Sequence, residues 1–130
     1  MGGDIVGKDV LVEVGAYIES FNLITGQDLP CGPIMQSSGL CVHIQKHHPD
    51  IATFIDLIPQ IIEFPDFVGH NPKEVNSIEL VKQLEKNLMV CVKLDSEKGY
   101  LYVASLYDVT GSKIESRIKS GRLKRYLKQA

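Results

Sequence analysis

The sequence predicts an α+β layer structure, with helices in the middle and at the end of the chain and an antiparallel sheet between them. Three observations carry this. Ile51, Phe54, Ile55, Ile58, Ile61 and Ile62 recur at the spacing of one helical face, which predicts a core-facing helix. Leu88, Val90, Val92 and Leu94 alternate with Met89, Cys91 and Lys93, and a second alternating run extends from Tyr100 to Tyr107 beyond Ser96-Glu97-Lys98-Gly99; this predicts an antiparallel hairpin. Ser112-Lys113-Ile114-Glu115 has the order of a capping box, and Ile114 with Ile118 gives a final helix one apolar stripe. At 130 residues and 44% apolar content the chain sustains one ordinary core and is short for two, so residues 1–130 are read as a single domain.

The remaining elements follow in order. Val10-Leu11-Val12-Glu13-Val14, Tyr17-Ile18 and Phe21-Asn22-Leu23-Ile24 read as short strands, closed by the turn formers Thr25-Gly26-Gln27-Asp28. Pro30-Cys31-Gly32-Pro33 breaks the chain before Ile34-Met35-Gln36. Ser37 or Ser38 caps a helix through His43 towards His47, and Pro49 biases His48 out of the helical region. Pro59 removes a backbone donor from the apolar helix and divides or kinks it near Leu57; Pro65 ends it. Asp66 to Pro72 is a short extended piece and a loop. Ile78, Leu80 and Leu84, with Glu79 and Lys82 between them, fit a strand or a short helix equally well. Ser120-Gly121 interrupts or ends the last helix.

The formal charge of −2 points away from nucleic acid, but its distribution reverses that impression. Lys113, Arg117, Lys119, Arg122, Lys124, Arg125 and Lys128 face the single acid Glu115, so the C-terminal segment either holds a phosphate backbone or is a solvated helix with a basic outer face. No apolar run has bilayer length, and Met1-Gly2-Gly3-Asp4 lacks the order of a secretory signal; a cytoplasmic protein with no membrane partner is expected. Cys31, Cys41 and Cys91 stand singly, against a disulfide framework or a zinc ribbon, and are read as buried small hydrophobes.

The stretch Ser37 to Asp50 gathers three of the four histidines beside Lys46 at a helix end. His43 and His47, four apart, share one helical face, with His48 pointing elsewhere. That pair suits zinc, although no third ligand stands near, and the bland alternative is exposed or capping histidines. Imidazoles are also the groups best placed to move protons near neutral pH without a metal. Metal-free RNA cleavage must deprotonate the 2′-hydroxyl, stabilise a dianionic phosphorane and protonate the departing 5′-oxygen. His43, His47 and His48 suit the first and last steps. Lys93, Lys113 and Arg122 suit the middle one, with a strand hydroxyl from Ser105 or Tyr107 as a further donor.

His43-Ile44 with His48-Pro49, Ile61-Ile62 with Pro65-Asp66, Ser77-Ile78-Glu79-Leu80-Val81-Lys82, Val92-Lys93-Leu94-Asp95, Ala104-Ser105-Leu106-Tyr107 and Ser120-Gly121-Arg122-Leu123 form an ordered set from about Val10 to Tyr126. In this order the chain resembles the phage-borne nuclease-like domains grouped with barnase, EndoU, colicin-type tRNases and RelE. The resemblance implies a helical N-terminal and middle part packed on a small curved antiparallel sheet, a basic C-terminal helix, and a strand at Ile78 to Leu84. It further implies a metal-independent, toxin-like endoribonuclease that leaves a 2′,3′-cyclic phosphate and needs no cofactor. His43, His48, Lys93 and Ser105 map onto the catalytic set, with His47, Tyr107, Lys113, Arg122, Lys124 and Arg125 as substrate-binding residues. The implied partners are RNA, either tRNA or mRNA, and a neutralising immunity or antitoxin protein. One departure concerns His47, where relatives more often carry a basic residue; Pro49 after His48 selects His48 as the match. A four-residue connection at Ser96 to Gly99 sets Lys93 and Ser105 on opposite faces unless a bulge shifts one strand. A non-catalytic RNA-binding or phage-assembly module with the same fold is the first rival, and a metal-dependent hydrolase the second.

Overall fold

The computed structural model describes residues 4–6 and 9–127. Its strands are β1 (Asp4–Val6), β2 (Asp9–Tyr17), β3 (Gly32–Ser37), β4 (Phe67–Gly69), β5 (Ser77–Gln83), β6 (Asn87–Asp95), β7 (Tyr100–Asp108) and β8 (Leu123–Arg125). They form one open sheet in the order β1-β2-β3-β7-β6-β5-β4-β8. The helices are α1 (Glu19–Thr25), α2 (Ser38–His47), α3 (Pro49–Ala52), α4 (Ile58–Glu63) and α5 (Gly111–Ser120), with a 3₁₀ turn at Ile55–Leu57. The α+β class holds. The sheet is neither small nor wholly antiparallel: β3 meets β7 in parallel, through Ile34 opposite Leu101 and Met35 opposite Tyr102.

Local chemistry explains most boundaries. Ser37 accepts a 3.2 Å bond from the Leu40 amide and caps α2. His48 ends that helix in a non-helical conformation (φ −140°, ψ 62°), in keeping with the bias that the following proline imposes against the helical region. The apolar segment after Asp50 is three pieces and not one helix, with Pro59 in the first turn of α4, where its missing donor costs nothing. Phe21 to Ile24, read from the sequence as a strand, lies inside α1; Phe21 packs edge-on against Tyr17 and beside Tyr126, contacts at a distance in sequence that outweigh local propensity. Thr110, not Ser112, caps α5, accepting a 3.3 Å bond from the Lys113 amide.

The basic C-terminal segment is divided between two elements. α5 ends at Gly121 in the left-handed region (φ 84°), so Arg122, Lys124 and Arg125 follow in a turn and in β8. Lys128, counted with the basic segment, lies outside the described residues. The cysteines differ from expectation too: Cys31 is exposed, and Cys41 and Cys91 are half-buried.

Two apolar clusters sandwich the sheet. The larger one joins α1 to α4 with one face, through residues such as Ile34, Ile44, Ile61, Leu80 and Val92. The smaller one lies under α5 on the other face, where Phe67, Val81, Met89, Ile114 and Leu123 meet. β5 is therefore covered on both sides from Ser77 to Val81, which is why its hydrophobic period was ambiguous in the sequence. Beyond the reach of α5 this second face carries polar side chains. Glu79, Cys91 and Ser105 lie opposite one another across β5, β6 and β7.

Candidate active-site groove

The hairpin β6–β7 contains the bulge on which the site depends. Cys91 is paired with Ser105, but Val92 is paired with Val103, so Ala104 is the extra residue of β7. Without it Ser105 would stand opposite Val90 and project into the helical core. With it Ser105 shares the face of Cys91 and, two residues on, of Lys93. Lys93 and Ser105 thus come to one side of the sheet.

Three openings border β7. The first, a cavity of about 430 Å³, lies where β3 leaves β7 to enter α2; His43, His48 and Asp50 face Ser105, Tyr107 and Asp108 across it. A second, of about 300 Å³, is lined by Asn71, Glu74, Glu79, Lys93, Ser105 and Tyr107. The third, of about 710 Å³, is lined by Lys73, Tyr107, Arg117 and Arg122 among others. Ser105 borders the first two and Tyr107 all three, so the openings adjoin at these side chains of β7 and together make the candidate groove.

The electrostatics divide the groove. Glu79, 2% exposed, accepts two bonds from Arg122, 2.7 Å from Nε to Oε1 and 2.6 Å from Nη2 to Oε2. This fork geometry fixes the guanidinium plane, and its hydrogen bonds to Glu79 raise the Arg122 pKa further above its ordinary value. Lys93 Nζ lies 3.1 Å from Glu74 Oε2 at the groove edge. Burial, followed by the neighbouring Cys91 and Glu79, pushes the Tyr107 hydroxyl well above its usual range, so it stays a proton donor. Its neighbours are soft: Met89 Sδ at 3.9 Å and Cys91 Sγ at 4.0 Å. Burial also raises the Cys91 thiol, against a lowering from its hydrogen bond with Ser105.

The structure brings together His43, His48, Ser105, Lys93, Tyr107 and Arg122 of the residues singled out by sequence. It separates the others. His47 stacks near His43, ring centroids 4.7 Å apart, but is not among the residues lining the first cavity, whereas His48, expected to point elsewhere, is. The cause is the non-helical backbone at His48, which turns the chain and takes its imidazole out of the helical register, to the wall facing β7. Lys113 is exposed on α5. Lys124 and Arg125 lie on the outermost strand β8, where Arg125 covers the Phe67 ring at 5.4 Å. Among the described residues no group of three or more His, Cys, Asp or Glu side chains is placed to hold a metal ion.

Sequence reasoning missed Glu79 and Asn71 as groove residues, and counted Arg117 only with the basic C-terminal segment. Glu79 had a readable signal, since a carboxylate inside Ile78-Glu79-Leu80-Val81 must find a cation if the strand is covered on both faces. Gly69 gave none, its role being visible only in the structure: a Cβ there would collide with the Arg122 carbonyl oxygen, so only glycine lets β8 approach β4 and deliver Arg122 to Glu79.

A protein-family model described as phage-Barnase-EndoU-ColicinE5/D-RelE like nuclease3 matches residues 13–116. The chain belongs to this family. The matched span of this phage-associated nuclease-like family takes in α2, the bulged hairpin and most of α5, and with them His43, His48, Lys93, Ser105 and Tyr107. Arg122 lies past its end. No curated protein and no solved structure matches the chain. None of the helices is long and apolar enough to cross a membrane among the described residues.

Proposed function

We propose that this nuclease-like domain is a metal-independent, toxin-like endoribonuclease that cleaves RNA by attack of the 2′-hydroxyl on the adjacent phosphate. The observation that supports this most is the position of Ser105, whose side borders both the His43–His48 cavity and the Lys93 cavity. One imidazole takes the 2′-hydroxyl proton as the O2′–P bond forms. The other gives a proton to the 5′-oxygen as the P–O5′ bond breaks, leaving a 2′,3′-cyclic phosphate and a 5′-hydroxyl. Lys93, with the Ser105 and Tyr107 hydroxyls, donates to the nonbridging oxygens, whose charge grows in the phosphorane. Substrate is held by Tyr107 and Arg122 within the groove, and by His47, Lys113, Lys124 and Arg125 only where RNA extends past it. A cytoplasmic tRNA or mRNA target and a neutralising immunity partner belong to the same reading.

The test is incubation of the purified protein with RNA in excess chelator, with sequencing of the ends. Cleavage leaving 2′,3′-cyclic phosphates is expected; activity lost on chelation and restored by one divalent metal counts against it.

A rival reading, a non-catalytic RNA-binding or phage-assembly module, draws on one observation: Lys93 is ion-paired with Glu74, so its charge is already partly engaged. An exposed pair of this kind is worth at most about 1 kcal/mol, and an incoming phosphate exchanges readily with the carboxylate. Lys93→Met retains the stem and removes the charge. Under the catalytic reading it slows single-turnover cleavage by about tenfold to a thousandfold while the melting temperature holds. Cleavage at the parent rate removes Lys93 from the chemistry.

A further inference from the structure

The third opening of the groove is unlike the other two. Lys73, Arg117 and Arg122 line it together with Asn71, Tyr107 and Ser120, and no carboxylate does. Glu79, which balances Arg122, sits behind that guanidinium and not in the opening. The His43–His48 cavity, by contrast, carries Asp50 and Asp108, and the Lys93 cavity carries Glu74 and Glu79. Positive charge is therefore concentrated at one end of the groove.

Arg117 is the more telling of these cations. It is half-buried on α5, and its Nη1 contacts Met89 Sδ at 3.7 Å, a weak thioether acceptor for a group with five donors. No ion pair of Arg117 or of Lys73 occurs among the described residues. A guanidinium held by packing, turned to a cavity without acids and left with a sulfur neighbour, is preorganised for an anion that carries several acceptors. Phosphate oxygens fit that demand, and the cavity of about 710 Å³ has room for a nucleotide.

We propose that the Lys73–Arg117–Arg122 opening is a second phosphate subsite, which holds the phosphate next to the one cleaved at the histidines. The proposal rests on the reading of the groove as an RNA channel and deepens it. The substrate is an oligonucleotide spanning at least two consecutive phosphates, and Tyr107, common to all three openings, stands between the two positions. A dinucleotide with a single phosphodiester occupies only part of the groove.

The test is a binding measurement, so it does not depend on cleavage. A 2′-deoxy dinucleotide, which lacks the attacking hydroxyl, is compared with the same dinucleotide carrying a 5′- or a 3′-terminal phosphate. One of the two phosphorylated forms is expected to bind the parent protein about tenfold more tightly, with a salt slope steeper by roughly 0.7. In Arg117→Gln that advantage falls to about twofold or less. Lys73→Gln, at an exposed position in the loop after β4, is the second variant and guards against misfolding of the first. Loss of the advantage in either folded variant supports the subsite. Equal binding of all three ligands by the parent, or a full advantage persisting in both variants, overturns it. Should RNA cleavage fail while the phosphate advantage is present, the catalytic reading falls and the subsite stands.

Discussion

Replacing His43 or His48 by alanine is expected to slow RNA cleavage by about two to four powers of ten, the usual cost of removing a general acid or base. Both imidazoles border the cavity whose opposite wall is Ser105 and Tyr107. Both are exposed, one within α2 and one just past its end, so truncation should change stability by no more than about 0.5 kcal/mol. His47→Ala is the internal control. Its ring lies beside that of His43 but outside the cavity lining, and its loss should slow cleavage by less than about tenfold. Single-turnover rates read beside thermal melts decide the matter. Equal slowing in all three variants, accompanied by equal destabilisation, would assign the cluster to structure and remove it from the chemistry.

What was legible in the sequence divides along physical lines. Elements with a strong local period or a hard stop were readable: the β6–β7 hairpin by its alternation, the Ser37 cap by its hydroxyl, the division at Pro59 by the missing donor. Elements decided by distant partners were not. Phe21 belongs to a helix because Tyr17 and Tyr126 receive its ring, and Tyr126 lies more than a hundred residues away. The parallel junction of β3 with β7 spans two residue pairs, too few to mark the local pattern. For the groove, residue types were legible but their register was not. A regular hairpin would have divided Lys93 from Ser105, and only the bulge at Ala104, which leaves no composition signal, unites them. Similarly, the basic residues after Gly121 were readable as charge, but the entry of Arg122 into the groove depends on the short approach of β8 to Gly69.

That approach makes the Glu79–Arg122 pair the anchor of the far side of the sheet, and Arg122→Met should destabilise the protein by about 3–5 kcal/mol. Glu79 is almost fully enclosed between the β4 and β6 neighbours of its strand. Without the guanidinium its carboxylate has no cation of comparable geometry, since Lys93 is drawn to Glu74. An uncompensated buried charge is far more costly than a missing surface pair, which is why this variant should exceed any other charge removal in the chain. The double variant Glu79→Met with Arg122→Met separates the two possible causes. If the penalty comes from the orphaned carboxylate, removing both charges restores most of the lost stability, giving a coupling of several kcal/mol in a double-mutant cycle. If Arg122 acted mainly through packing of its stem, methionine would replace much of that stem and the single variant would lose little. Denaturant unfolding of the parent and the three variants distinguishes these outcomes. A single variant within about 1 kcal/mol of the parent would show that β8 is held by its strand pairing with β4 alone, and that Arg122 is free to serve the substrate without a structural duty.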